Sequence, residues 1–177
     1  MSINNKNRGF TIVELLIVIV VIGILAAITI VAFNGIQQRA RNTMRVNEVK
    51  QYQTLLMSYK ATYGEYPSAG TMYSCLGESF PDVTGNGVGN CWDLHSATSQ
   101  NSESPALITE LKKVAASLPG SSKTPVPGDG TSRRLGPAYI SGSTSGIVYW
   151  IEGTGSCPVG VLRWSDSSSR ACQISLP

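Results

Sequence analysis

Residues 10–33 read FTIVELLIVIVVIGILAAITIVAF, a run of 24 residues in which Glu14 is the single charged residue. At about 1.5 Å per residue, a helix of this length measures roughly 36 Å and spans the ~30 Å hydrocarbon core of a bilayer. A secretory signal has a shorter apolar stretch, of about 7–15 residues, and the core helix of a soluble protein shows a polar face. The run therefore predicts a transmembrane helix.

The flanks of this run indicate its orientation. The nine residues before it, MSINNKNRG, are polar and carry Lys6 and Arg8. Positive charge next to a membrane span favours the cytoplasmic side, so we expect a single pass through the cytoplasmic (inner) membrane with the rest of the chain outside. A plain anchor does not explain Glu14, because an ionisable group in hydrocarbon costs about 3 kcal/mol or more without a partner and indicates a function by default.

The string GFTIVE at residues 9–14, followed by an uninterrupted apolar helix, resembles the N-terminal signal of type IV pilins and of secretion and competence pseudopilins. The resemblance implies that a prepilin peptidase cuts between Gly9 and Phe10 and that Phe10 is then N-methylated. The apolar helix follows the cut and stays in the mature subunit. In this family the carboxylate at the position of Glu14 is thought to pair with the new amine of a neighbouring subunit. Phe10 and Glu14 are therefore the expected assembly residues.

The chain departs from the family at one position in this helix. Many members carry a proline where this chain has Val31, and no proline occurs between Phe10 and Tyr66. Every residue of this stretch therefore has a backbone N–H that can donate a hydrogen bond within the helix. The resemblance does not determine whether the helix unwinds near Val31 in a filament.

Beyond Gly35 the apolar residues recur at steps of three and four, which is the period of an amphipathic helix. The stripe consists of Val49, Tyr52, Leu56, Tyr59 and Tyr63. The helix is expected to stop by Gly64, since Pro67 prevents continuation. Its stripe needs a sheet to cover it.

Four basic residues follow the predicted membrane span: Arg39, Arg41, Arg45 and Lys50. They are candidates for binding lipid headgroups or DNA, for packing against neighbouring subunits, or for a solvated helix face. Charge runs on helix surfaces are usually solvated, which favours the last two readings. Without Lys6 and Arg8 the formal charge of +3 falls to +1, too little for a generally nucleic-acid-binding surface.

The C-terminal part is rich in Gly, Ser and Pro and predicts short elements joined by turns. Residues 68–103 and 120–137 are predicted as loops. Ser104 and Pro105 predict the start of a second helix, as N-cap and first helical residue, and Pro119 and Gly120 its end. Turn residues separate four predicted strands of an antiparallel meander, at residues 138–141, 146–152, 158–164 and 170–175.

Four cysteines follow the apolar run: Cys75, Cys91, Cys157 and Cys172. An even number in an exported domain indicates disulfides, and four cysteines allow three pairings. We favour Cys75 with Cys91 and Cys157 with Cys172, because each pair brackets a Gly- or Ser-rich loop. Zinc sites usually contain close CxxC pairs, and the sequence has none, so neither a metal nor another cofactor is predicted.

The predicted fold is α+β, with a long N-terminal helix packed on a small antiparallel sheet that is cross-linked by disulfides. Its segments are a leader at 1–9, a transmembrane and assembly helix at 10–33, an amphipathic helix at 34–63 and a globular head at 64–177.

The resemblance implies a structural subunit of an extracellular filament for adhesion, motility or DNA uptake. An enzyme is not predicted, because the single histidine, His95, lies in a polar stretch without a catalytic motif. The alternatives are a type II secretion or competence pseudopilin, or a membrane-anchored exodomain that does not polymerise. The expected partners are the prepilin peptidase, other pilin subunits, an inner-membrane assembly platform and the lipid bilayer, with DNA as a weaker candidate. The sequence determines neither whether the subunit is major or minor nor what its head binds.

Overall fold

The computed structural model describes residues 10–82, 89–94, 100–120, 123–126, 132–142 and 144–177. The leader at 1–9, which includes Gly9, and the lone His95 lie outside the described residues. The chain forms two compact units that meet in sequence between Ala40 and Arg41.

The described residues contain two helices, α1 (Ile12–Tyr63) and α2 (Pro105–Leu111). Eight strands are described: β1 (Tyr73–Cys75), β2 (Asn90–Leu94), β3 (Gln100–Glu103), β4 (Ser132–Arg134), β5 (Ala138–Ile140), β6 (Gly146–Glu152), β7 (Val161–Ser165) and β8 (Ser169–Ser175). The predicted α+β class with a long N-terminal helix is confirmed.

Helix α1 continues without interruption for 52 residues. It ends where expected, because Gly64 adopts a φ of +85°, a conformation that glycine reaches without steric cost. The N–H of Gly64 donates to the carbonyl oxygen of Lys60 at 2.8 Å. This bond satisfies one of the carbonyl groups that the end of a helix leaves without a partner.

The C-terminal part of α1 packs on the sheet through the predicted apolar stripe. Val49, Tyr52 and Leu56 are at most 1% exposed and belong to the main core cluster. On the sheet side this cluster contains Tyr139, Ile147, Tyr149, Ile151, Cys172 and Ile174. The stripe ends earlier than predicted: Tyr63 is 47% exposed and lies against the ring of Tyr59 at 4.5 Å between centroids.

Helix α2 begins as predicted and ends earlier. The hydroxyl of Ser104 caps it by accepting a hydrogen bond from the N–H of Leu107 at 3.3 Å. The helix stops at Leu111 instead of continuing to Pro119. The later apolar residues of its predicted face, Val114 and Leu118, still pack against the main core although they are not helical.

The strands form one mixed sheet in the order β4-β2-β3-β1-β5-β6-β8-β7. The sheet is not wholly antiparallel, because β1 and β3 run parallel. The predicted meander is also wrong at one step, since β8 lies between β6 and β7. All seven residues of β6 pair with β8, and β8 contributes Cys172 and Ile174 to the core. Strand β7 is exposed along its length and occupies the edge.

Strands β1 to β4 lie in segments that the sequence predicts as loops. These strands have three to five residues each, too few for an alternating pattern to be recognised. Several of their buried residues are polar: Ser74, Asn90, Asn101 and Arg134. Pairing between distant segments, rather than local pattern, forms this half of the sheet.

Both disulfides have the pairing that the sequence favours, Cys75–Cys91 and Cys157–Cys172. The first joins β1 to β2. The second joins the connection before β7 to the central part of β8. A loop of about 15 residues closed by a disulfide stabilises a domain by about 3 kcal/mol in a chain-entropy model.

Candidate processing and assembly site

The first turn of α1 is closed by a capping box formed by Thr11 and Glu14. The N–H of Thr11 donates to Oε2 of Glu14 at 2.9 Å, and the Thr11 hydroxyl donates to the same oxygen at 2.7 Å. In return, the N–H of Glu14 donates to Oγ1 of Thr11 at 3.2 Å. This reciprocal arrangement satisfies two amide donors that the start of a helix leaves without partners. The carboxylate that the sequence predicts for assembly thus also starts the helix.

Thr11 is a residue that the sequence interpretation missed. The spacing T-x-x-E before an apolar run is the signature of a capping box, and residues 11–14 carry it. Phe10, immediately before the box, is 81% exposed. The other side of the predicted cut, Gly9, lies outside the described residues.

The apolar part of α1 is exposed in the part of the chain that the structure describes. Its large apolar side chains from Ile12 to Ile30 are between 48% and 85% exposed. Within the described residues, α1 is long and apolar enough to cross a membrane, judged by length and composition. An apolar surface of this extent is unfavourable in water and favourable in lipid or against other apolar helices.

A cluster of charged and amide side chains lies in the unit that contains the sheet. We call it the Glu152 cluster; it consists of Arg41, Asn42, Arg45 and Glu152. Arg41 binds the carboxylate of Glu152 with two bonds, Nε to Oε1 and Nη2 to Oε2, both at 2.7 Å. Arg45 donates from Nη1 to Oε1 at 3.1 Å. Asn42 exchanges two hydrogen bonds of 2.9 Å with the backbone of Glu152.

The Glu152 cluster is largely withdrawn from water. The side chains of Arg45 and Glu152 are each 5% exposed, and that of Arg41 is 34% exposed. Arg45 also donates from Nη2 to the carbonyl oxygen of Thr124 at 2.6 Å. Two of the four basic residues after the membrane span therefore hold α1 to the end of β6. Arg45 is thus buried and does not lie on a solvated face, whereas Lys50 is exposed.

A further ion pair joins β4 to the turn between β7 and β8. Nη1 of the buried Arg134 donates to Oδ2 of Asp166 at 2.6 Å, and it also bonds the hydroxyl of Ser169. Oδ1 of Asp166 accepts the N–H groups of Ser168 and Ser169 at 2.8 and 2.7 Å. The sequence predicted neither carboxylate partner, because Asp166 lies in a Ser-rich turn and Glu152 at the end of an apolar strand.

Both carboxylates have pKa values below their ordinary range in the folded protein. Hydrogen bonds from Arg41 lower the pKa of Glu152 more than burial raises it, and Arg45 adds to the effect. For Asp166, burial raises the pKa, but Arg134 and the amides of Ser168 and Ser169 together outweigh it, so the net shift is downward. In both cases the folded state holds the charged form and binds protons less readily than the unfolded state.

We expect the head to lose stability in acid. Because the unfolded chain takes up protons on these carboxylates near pH 4, at about their ordinary pKa values, the free energy of unfolding is fully present above about pH 5 and falls as the pH decreases below it. Urea unfolding of the full chain at pH 7, 5, 4 and 3 measures this loss. The double variant Glu152→Gln, Asp166→Asn should show a flatter pH dependence. A free energy of unfolding that stays constant from pH 7 to pH 3 in the unaltered protein would contradict the assignment.

Comparison with known proteins identifies the N-terminal segment. Residues 4–30 match the family model of the prokaryotic N-terminal methylation motif. The chain is 34% identical over 68 residues to a fimbrial protein of Neisseria meningitidis serogroup A / serotype 4A. These aligned residues make up 38% of this chain and 40% of that protein. It is 32% identical over 68 residues to the type II secretion system core protein G of Escherichia coli K12, covering 38% of this chain and 47% of the relative.

A third relative, the type IV major pilin protein PilA of Myxococcus xanthus, is 40% identical over 63 residues, which cover 36% of this chain and 29% of that pilin. The chain spans less than half of the length of each of these curated relatives. No solved structure matches the chain significantly. The chain thus carries the N-terminal methylation motif, and over little more than a third of its length it resembles type IV pilins and type II secretion pseudopilins.

Proposed function

We propose that this protein is a structural subunit of a type IV pilus-like filament, cut between Gly9 and Phe10 and assembled through α1. The observation that carries the proposal is the uncovered apolar surface of α1 directly after the methylation motif. A helix with so many exposed apolar side chains needs lipid before assembly and other subunits after it. The proposed role is structural and not catalytic.

The route to the filament follows from the order of the segments. The leader at 1–9 stays on the cytoplasmic side, and the apolar segment at 10–33 holds the subunit in the inner membrane with its head outside. The prepilin peptidase removes the leader and leaves the helix in place. An inner-membrane assembly platform then transfers the subunit from the bilayer into a surface filament.

The geometry at Glu14 supports its proposed pairing with a neighbouring Phe10. Both hydrogen bonds of the capping box that reach the carboxylate end on Oε2, and Oε1 accepts none from the described residues. A carboxylate has about four acceptor sites. The amine of a neighbouring Phe10 is therefore able to bind Oε1 without opening the first turn of the helix.

A second candidate is a type II secretion pseudopilin, which the similarity to core protein G favours. It shares the cut, the methylated Phe10 and the helix, and it differs in the machine that it serves. Deleting the gene and measuring both surface filaments and secreted proteins separates the two: the pilus proposal expects loss of filaments with normal secretion.

Mass spectrometry of filaments sheared from the cell surface tests the proposal directly. We expect a subunit that begins at N-methylated Phe10 and contains both disulfides. Recovery of nothing but monomer that still carries residues 1–9, in cells with an active peptidase, would contradict processing. Processed subunit that is confined to the membrane would instead support an exodomain that does not polymerise.

A further inference from the structure

The head contains a cavity of about 360 Å³ on the sheet face opposite to the one that packs on α1. In β6 the side chains of Ile147, Tyr149 and Ile151 belong to the main core, whereas Val148 and Trp150 belong to a separate cluster beside the cavity. Successive side chains of a strand point to opposite faces, so the sheet itself separates the cavity from α1.

The walls of this cavity are aromatic. The rings of Trp92 and Trp150 meet edge to face with centroids 5.2 Å apart, and those of Trp150 and Trp164 do so at 5.6 Å. These are all three tryptophans of the protein. Trp164 is 46% exposed. The size and the mainly apolar lining correspond to a small-molecule site.

Two arginines line the same cavity and differ in their charge balance. The guanidinium carbon of Arg134 lies 4.0 Å from the ring centroid of Trp150, and its charge is balanced by Asp166. Arg163 donates to the neutral oxygens of Gln173 at 2.6 Å and Tyr73 at 2.8 Å. Among the residues whose side chains the structure describes, no carboxylate forms an ion pair with Arg163, so its positive charge is unbalanced there.

The cavity also contains hydrogen-bond donors that the described residues leave without acceptors. Nε1 of Trp92 and Nε of Arg134 are buried and have no hydrogen-bond partner among the described residues. Arg134 is 1% exposed, and a buried donor without an acceptor costs about 1–3 kcal/mol. A ligand with an anionic group matches the charge of Arg163, whose side chain is exposed.

We propose that this cavity binds a small aromatic carboxylate, with its ring among the three tryptophans and its carboxylate at Arg163. A sugar fits less well, because its hydroxyl groups need more polar partners than this mainly apolar lining offers. A nucleotide fits less well because its phosphate carries more charge than one unbalanced arginine matches. The aromatic carboxylate combines one apolar ring with one negative charge, as the cavity does.

The test is a titration of the full-length protein in lipid nanodiscs with 2-naphthoate, followed by the indole N–H signals in proton–nitrogen NMR spectra. Because every tryptophan lines the cavity, these signals report on it alone. We expect saturable shifts with 2-naphthoate and weaker binding of the neutral analogue 2-naphthalenemethanol. Arg163→Gln should weaken the binding of 2-naphthoate by about tenfold or more, because it removes one charge-assisted hydrogen bond. Binding of the alcohol should change by less than about twofold.

The matched control is Lys50→Gln, which removes one exposed positive charge from α1 and should leave both affinities unchanged. Trp164→Ala should weaken the binding of both ligands, since it removes an aromatic ring from the cavity wall and not a charge. Three results would overturn the proposal. They are the absence of saturable shifts in the unaltered protein, equal loss of acid and alcohol binding in Arg163→Gln, and tighter binding of thymidine monophosphate than of 2-naphthoate.

Discussion

Replacing Glu14 with alanine is expected to leave cleavage after Gly9 intact and to reduce surface filament by about tenfold or more. Under the proposed pairing, the variant leaves the amine of a neighbouring Phe10 without its carboxylate in a bilayer, where an unpaired charge costs about 3 kcal/mol. A loss of about 1.4 kcal/mol per added subunit already corresponds to a factor of ten. Immunoblots of sheared filament and of membrane fractions measure assembly and processing separately.

The capping box gives this experiment two matched controls. Glu14→Gln retains a side chain that can accept from the N–H of Thr11, as glutamine does in capping boxes, but it removes the charge. Thr11→Ala retains the charge and removes the hydroxyl half of the box. If charge pairing drives assembly, Glu14→Gln fails like Glu14→Ala, whereas Thr11→Ala assembles.

The opposite pattern would reject the pairing. Normal filaments from Glu14→Gln, together with a loss in Thr11→Ala, would assign the role of this segment to the helix start instead of to the carboxylate charge. Loss of cleavage in all three variants would show that the peptidase recognises Thr11 and Glu14.

Replacing Glu152 with alanine is expected to destabilise the head by about 3–5 kcal/mol, because the variant leaves Arg45 buried without its charge partner. Arg41, which is 34% exposed, can recover contact with water, whereas Arg45 at 5% cannot. Proteins have free energies of unfolding of about 5–15 kcal/mol, so the loss is a large part of the total. Urea unfolding of the full chain in detergent, followed by tryptophan fluorescence, measures it.

The matched control is Glu78→Ala, which removes a carboxylate that pairs with Lys112 at 2.6 Å where both side chains are more than 40% exposed. An exposed pair contributes about 0–1 kcal/mol, so this variant should stay close to the unaltered protein. The double variant Arg45→Met, Glu152→Met should lose less than Glu152→Ala, because it removes both buried charges. Equal stabilities of Glu152→Ala and Glu78→Ala would contradict the buried role of Glu152.

The elements that the sequence predicted well are those with strong local signals. Helix α1 has an apolar run and then a period of three and four, and glycine ends it at position 64. Ser104 and Pro105 mark the start of α2 by their capping chemistry. The long strand β6 coincides with the predicted range at 146–152, since seven consecutive residues between turns are enough to recognise.

The elements that the sequence did not predict depend on partners that are distant in the chain. Strand β1 has three residues and pairs with β3 and β5, so its pairing has no local signal. The predicted order of the last strands was wrong because strands that follow each other in the chain were expected to pair. In the structure β8 pairs with both β6 and β7, and its ladder with β6 is the longer one. The three tryptophans that line the cavity lie on β2, β6 and β7, and only the folded sheet brings them together.

The sequence by itself determined the N-terminal segment: the methylation motif, the apolar helix and Glu14 are contiguous, so their pattern can be recognised along the chain. The local pairing of the cysteines was also accessible from spacing. Only the tertiary structure decided that Arg41 and Arg45 bind Glu152, more than 100 residues away, and that an arginine-bearing aromatic cavity exists in the head. Burial and charge balance depend on which surfaces meet, and the contacts of distant strands are decided by the packing of the whole head.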